Sequence, residues 1–266
     1  MTADAADLDR RAHLNFASFY VDSLGFADGG TVQLSDGLLL WAAATEFPVM
    51  ANGVMRLDDE TPASTTLDLA QDFFAARTRG YTVFSTSRAA DADLEAACRE
   101  VFDAPLMDMP EMVCSARVEV RPVADGAELR RVVDDSGVHD FARMSAAAYA
   151  TLGMPADEVP TWFDRPQGVL EPHLCTVLAY LDGEPVSGAM ANLSHGIGGV
   201  YWVGTVPAAR GHALADACTR YVTNWAFDEG AQAVSLQASA QGEPIYRAMG
   251  YEDRFRYSGY LAPAPD

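Results

Sequence analysis

Lysine is absent. All 18 basic residues are arginine, which removes lysine Schiff-base chemistry and a Walker lysine from consideration. Basic charge is scarce altogether: 38 acidic residues leave a net charge of −20. Such a chain repels phosphate backbones and anionic membranes at long range, so neither nucleic acid nor membrane is an expected partner. No run of about 18 apolar residues occurs; the longest stretch, Gly37 to Ala44, is strand-sized. The opening Met1-Thr2-Ala3-Asp4 lacks the basic flank and apolar centre of a leader peptide. A cytoplasmic setting is therefore expected.

Cysteine is sparse. Cys98, Cys114, Cys175 and Cys218 show no Cys-x-x-Cys spacing and have apolar neighbours, as buried reduced thiols do. The five histidines have no ligand spacing. His173-Leu174-Cys175 puts two ligand types on one strand face, but reads as isolated strand residues, and no metal is expected. Gly-x-Gly-x-x-Gly, Walker, Gly-x-Ser-x-Gly and His-Glu-x-x-His motifs are missing.

What remains is a globular composition, 49% hydrophobic and 21% charged over 266 residues. A chain of this length buries about 70% of its unfolded surface. The periodicity predicts helices over 8–24, 66–79 and 91–102, with strands over 31–34, 38–43, 53–57, 81–85 and 112–120. The second of those helices has a capping-box-like start at Thr65 and Asp68. Beyond residue 120, helices are predicted over 127–135, 138–151, 210–229 and 242–249. Strands are predicted over 174–181, 185–192, 200–206, 233–237 and 254–261, with Asp182-Gly183 as a hairpin turn. Residues 51–118 and 198–261 share one order: strand, loop, helix, glycine, strand, helix, strand. The reading is α/β, two tandem units with mixed, mostly antiparallel sheets flanked by helices, divided at 116/117.

One turn stands out. Between Val206 and Ala215 a strand runs into a helix through small residues, with Arg210 present and the first acid, Asp216, delayed. Unpaired N–H groups and the positive end of the helix dipole make such a start an anion site, most naturally for phosphate. The apolar stripe Leu214, Cys218, Tyr221, Val222 and Trp225 of that helix is core. The matching turn of the first half, Leu57-Asp58-Asp59-Glu60-Thr61-Pro62, carries three acids that would repel a phosphate. These acids and Asp134-Asp135 read as solvated charge.

Two stretches carry a family resemblance. Val203 to Ala215 resembles strand 4 and the pyrophosphate loop, Arg/Gln-x-x-Gly-x-Gly/Ala, of the GCN5-related N-acetyltransferase superfamily. Leu236 to Tyr251, ending Ile245-Tyr246-Arg247-Ala248-Met249-Gly250-Tyr251, is similar to its second cofactor motif. The second half, from about Val118 to Leu261, carries the likeness, and the first half looks like a degenerate copy. The loop's expected glycine is Ala213 here, and Ala215 is an accepted last position.

The resemblance implies a division into a degenerate domain, 1–116, and an acetyl-CoA-binding domain, 117–266. It implies that acetyl-CoA is the co-substrate. Val203, Gly204 and Thr205 would line its arm. Arg210 and the amides of Gly211, His212, Ala213, Leu214 and Ala215 would hold its pyrophosphate, and Ser239 would touch the arm. Tyr246 would protonate the leaving thiolate, a phenol being matched to a thiol in acidity. No general base is readable; Glu171, His173 and His195 are candidates by proximity alone. The aromatic, proline-rich segment Met154 to Pro172 would form the acceptor wall. The expected activity is acetyl transfer to the amine of a small molecule or peptide by direct attack. The alternative is a catalytically silent fold that binds a ligand or partner. A homodimer stays open.

Overall fold

The computed structural model describes residues 3–265; Met1 and Thr2, read above with the chain's opening, and Asp266 lie outside the described residues. In chain order the elements are α1 (Ala3–Ser23), β1 (Thr31–Ser35), β2 (Leu38–Ala42), β3 (Asn52–Arg56), α2 (Ala63–Ala75), β4 (Tyr81–Thr86), α3 (Ala92–Val101) and β5 (Met107–Cys114). They continue with β6 (Ala127–Arg131), α4 (Asp135–Tyr149), α5 (Pro166–Val169), β7 (Leu174–Leu181), β8 (Glu184–Ser194) and β9 (Ile197–Thr205). The last are α6 (Leu214–Asp228), β10 (Ala233–Gln237), α7 (Glu243–Met249) and β11 (Glu252–Ala262).

The chain forms two compact units that are not consecutive in sequence. One holds residues 1–28, 112–236 and 241–252; the other holds 29–111, 237–240 and 253–266. The change of unit at Glu111/Met112 lies near the boundary drawn at 116/117, but both chain ends are counted with the opposite half.

In the first unit the strand order is β10-β9-β8-β7-β6. Strands β6 to β9 are antiparallel and β10 is parallel to β9. β7 is apolar and buried almost throughout, as suits an inner strand covered on both faces. Asp182-Gly183 closes the β7–β8 hairpin at φ 53° and 85°, the paired left-handed geometry of a type I′ turn. His195-Gly196 does the same between β8 and β9 at φ 54° and 72°. Helix α1 is fastened to that hairpin by buried Asn15, whose amide donates to the Ile197 carbonyl at 3.0 Å and to Ser194 Oγ at 2.9 Å. Asn15 Oδ1 accepts from the Tyr201 hydroxyl at 2.7 Å, and Phe19 stacks on the Tyr201 ring at 3.8 Å. On the opposite face α6 comes so close that a Cβ at Gly198 would stand 2.4 Å from Ala226 Cβ.

In the second unit the order is β1-β2-β3-β4-β11-β5. Neighbouring pairs from β1 to β3 are antiparallel, β3 and β4 parallel, and β4 and β11 antiparallel. Leu38, Leu40, Val54, Phe74, Val83, Leu94 and Tyr260 fill the core under α2 and α3. Hairpin, loop, helix and parallel strand thus recur as β2-β3-α2-β4 and β8-β9-α6-β10.

Four expectations are corrected. Residues 127–131 form strand β6, not a helix: Ala-Glu-Leu-Arg-Arg favours helix locally, but pairing Ala127 with Leu181 and Arg131 with Val177 wins. Helix α2 begins at Ala63, ahead of the Thr65 capping box, with Pro62 preceding it. β5 ends at Cys114, and the chain after it is tied to α6 instead, Asn224 exchanging hydrogen bonds with the Val118 amide and carbonyl at 3.0 and 2.9 Å. Asp58 and Asp134 are not merely solvated charge: Asp58 holds the turn ahead of α2 through the Glu60 and Thr61 amides, and Asp134 caps α4, accepting from the Gly137 amide at 2.9 Å. The four cysteines are free and buried. Burial pushes the thiols of Cys98 and Cys218 up to about 12. Among the described residues, no helix is long and apolar enough to cross a membrane.

Candidate functional site

β9 carries two irregularities. Its parallel register with β10 covers only Ile197 to Gly199, although β9 runs to Thr205 and β10 to Gln237. The two strands part there. Against β8, Gly188 pairs with Gly204 and Met190 with Tyr201, so Trp202 and Val203 together face Ala189. This is a bulge, which turns side chains and removes groups from the ladder. Trp202 takes φ 52°, a left-handed value that is an outlier for so bulky a residue.

Beyond Thr205 the chain makes a 3-10 turn, Pro207–Ala209, then a loop into α6. Gly211 and Ala213 are left-handed, at φ 85° and 54°. No side chain caps α6. Among the described residues, the amides of Gly211, His212, Ala213, Leu214 and Ala215 donate to no backbone carbonyl. Gly211, His212 and Ala213 are exposed, and a Cβ at Gly211 would meet nothing within 4 Å. The delayed acid is neutralised, since Arg220 holds Asp216 at 2.7 Å and donates to the Glu119 carbonyl at 2.9 Å. Arg210 turns back along the strand, bonding Thr151 Oγ1 at 2.8 Å and the Thr205 carbonyl at 3.3 Å.

Tyr246 sits in α7 with its ring 6.0 Å from that of Tyr251, whose hydroxyl meets Thr223 of α6 at 2.7 Å. Burial pushes the Tyr246 phenol up to about 12. Tyr149 closes α4 and donates from its hydroxyl to the Val203 carbonyl at 3.0 Å. Burial raises its pKa, and the nearby Tyr246 adds to the rise. The ring of Trp202 lies edge-on to Tyr149 and Phe163, both at 5.1 Å, and to Trp162 at 5.9 Å.

The structure thus brings together Val203, Gly204, Thr205, the loop 210–215 and Tyr246. Ser239 is exposed in the turn after β10, on a segment that belongs to the other unit. The base candidates lie elsewhere. His195 holds a left-handed turn position before β9, roughly 20 Å along the strand from Trp202. His173 precedes β7 at the same end and meets Asp22 at 3.2 Å, and Glu171 is two residues earlier. Among the described residues no three His, Cys, Asp or Glu side chains gather as a metal site. Sequence reasoning missed Tyr149, and no local signal marks it: the residue ends a helix and acts 54 positions away.

The equivalent turn of the other unit is built differently. Asp58 Oδ1 accepts from the Glu60 and Thr61 amides at 3.0 and 2.8 Å, and Asp93 Oδ2 from the Ala63 amide at 3.1 Å. Burial opposes ionisation of both carboxyls, but those hydrogen bonds, with Arg56, hold them below their ordinary values. The protein's own carboxylates occupy this helix start.

Among solved structures the chain is similar to a GCN5-related N-acetyltransferase from Kribbella flavida, at 20% identity over 94% of this chain and 95% of that one, TM-score 0.70. It is similar to one from Sphaerobacter thermophilus, at 16% over 88% and 82%, TM-score 0.60. A tandem GNAT protein from the clavulanic acid biosynthesis pathway follows, at 14% over 90% and 85%, TM-score 0.59. At these identities the likeness is one of fold. No curated protein matches the chain. Residues 140–251 match the model of the acetyltransferase (GNAT) family. That stretch takes in Tyr149, β9, the loop, α6 and Tyr246.

Proposed function

We propose that the unit holding β9 and α6 is an acetyl-CoA-dependent N-acetyltransferase. It acts on the amine of a small molecule or peptide by direct attack, in the cytoplasm. The observation that carries this reading is the helix start at 211–215, with its amides unspent and its turn exposed. A diphosphate suits it: the donors converge at a positive helix end, Gly211 leaves open space, and Ala213 already holds the left-handed turn.

Acetyl-CoA bound there supplies an activated acetyl thioester to the amine. The loop amides of 211–215 hold the charged end, with Arg210 beside them. The parting of β9 from β10 leaves strand backbone at Val203 to Thr205 for the pantetheine arm. Tyr246 keeps its hydroxyl proton through the neutral range, because burial disfavours the phenolate. It delivers that proton from Oη to the departing sulfur. Trp162 and Phe163 belong to the proline-rich segment and touch Trp202, which supports that segment as the acceptor wall. The net charge of −20 favours a cationic amine by steering.

The test is calorimetric titration with acetyl-CoA followed by a thiol-release assay over cationic, neutral and anionic amines. Binding with amine-dependent thiol release is expected. No heat at millimolar ligand retires the enzyme, and binding without release from any amine leaves the silent ligand-binding fold.

A further inference from the structure

The bulge re-aims Trp202. Gly198 faces Ala226 of α6, while Gly199 faces Asn15 and Tyr201 on the opposite side. Alternation along β9 would send Trp202 to the α6 face with Gly198 and Val200. Instead its left-handed backbone places the ring against Tyr149, Trp162 and Phe163, on the side where Gly204 meets Ala148 and Tyr149. A bulky residue persists in such a conformation only where its surroundings enforce it.

Tyr149 is the residue that does so from both directions. Its hydroxyl satisfies the carbonyl of Val203, the other residue of the bulge, at 3.0 Å. Its ring meets the Trp202 indole at 5.1 Å and an interplanar angle of 72°. A Cβ at Gly204 would lie 3.2 Å from Tyr149 Cε2, so the strand is glycine where the tyrosine crosses it. The phenol is raised by burial and by Tyr246, which keeps it a donor. Two residues on, Thr151 bonds Arg210 of the loop at 2.8 Å.

We propose that Tyr149 is a positioning residue for acetyl transfer: through Val203 and Trp202 it fixes the bulge of β9 in the stretch beyond the strand's pairing with β10. This rests on the acetyltransferase reading given above. Tyr149 touches neither substrate; it sets the strand that does.

Two readouts test this. The first needs no activity. Trp162 and Trp202, 5.9 Å apart at 72°, should give an exciton couplet in circular dichroism, assigned by its loss in Trp162→Phe. Tyr149→Phe keeps the ring and drops the hydrogen bond, and should weaken the couplet; Tyr149→Leu should abolish it. The second is kinetic: Tyr149→Phe should lower kcat about fivefold, with the dissociation constant of CoA unchanged within about twofold. An unaltered couplet in Tyr149→Phe overturns the proposal, as does a weakened couplet with unchanged kcat. If the wild-type protein turns over no amine, the acetyltransferase reading fails while the couplet still decides the role of Tyr149 in holding the bulge.

Discussion

Ala213 is the residue at which this chain departs from the loop pattern it resembles, and the backbone there has not yielded. Its φ of 54° is the value a glycine would take. A left-handed non-glycine residue costs about 1–2 kcal/mol, whereas glycine costs about 0.4–1 kcal/mol in extra unfolded-state entropy. Ala213→Gly should therefore stabilise the protein by about 0.5 kcal/mol, read as a higher urea midpoint at unchanged slope. It should also bind CoA no more weakly than the wild type. Tyr246 gives the contrasting case. Tyr246→Phe removes the proton donor and leaves the ring on Tyr251. Turnover should fall by about 100-fold, with CoA affinity held within about twofold. Unchanged turnover would strip Tyr246 of its role.

Elements place these residues, and here sequence and structure part company in instructive ways. Strand β7 is legible to the residue because an apolar run, interrupted only by β-branched Thr176, lies between turn residues. Strand β6 is not: its five residues are good helix formers, and only the register with β7 makes them a strand. The open-amide turn before α6 is legible because its signal is composition, small residues and a late acid. The bulge is not, because Tyr201-Trp202-Val203 reads as ordinary strand and Trp202 is turned by neighbours 40 and 53 positions away. Thr151 belongs to the same class of hidden partner. It follows α4 and holds the Arg210 guanidinium at 2.8 Å. Thr151→Val keeps the shape and loses that bond, leaving the arginine to be ordered when the ligand arrives. The CoA dissociation constant should rise about threefold with kcat unchanged, the mark of lost preorganisation. A fall in kcat without a change in affinity would put Thr151 with Tyr149 instead.

The whole molecule contains the same strand–loop–helix device twice and has equipped it in two ways. In the loop before α6 the donors at 211–215 are open, and the one acid in the first turn, Asp216, is paired with Arg220. In the turn before α2 three donors, the amides of Glu60, Thr61 and Ala63, are taken. Asp58 accepts from the Glu60 and Thr61 amides and from the Thr61 hydroxyl at 2.9 Å, and Asp93 reaches the Ala63 amide while bonding Arg56 at 3.0 Å. A diphosphate entering there would have to displace two carboxylates held below their ordinary pKa values by those same hydrogen bonds. It would also meet the charge of Asp59 and Glu60, both exposed. Like charges in place of open donors reverse the sign of the interaction, so duplication of the fold does not duplicate the site. Calorimetry should accordingly give one CoA bound per chain, and Ala213→Asp should abolish that binding by placing a carboxylate among the open amides. A stoichiometry near two, or a site that survives Ala213→Asp, would mean that the α2 turn opens to the ligand and that its carboxylates are a gate rather than a seal.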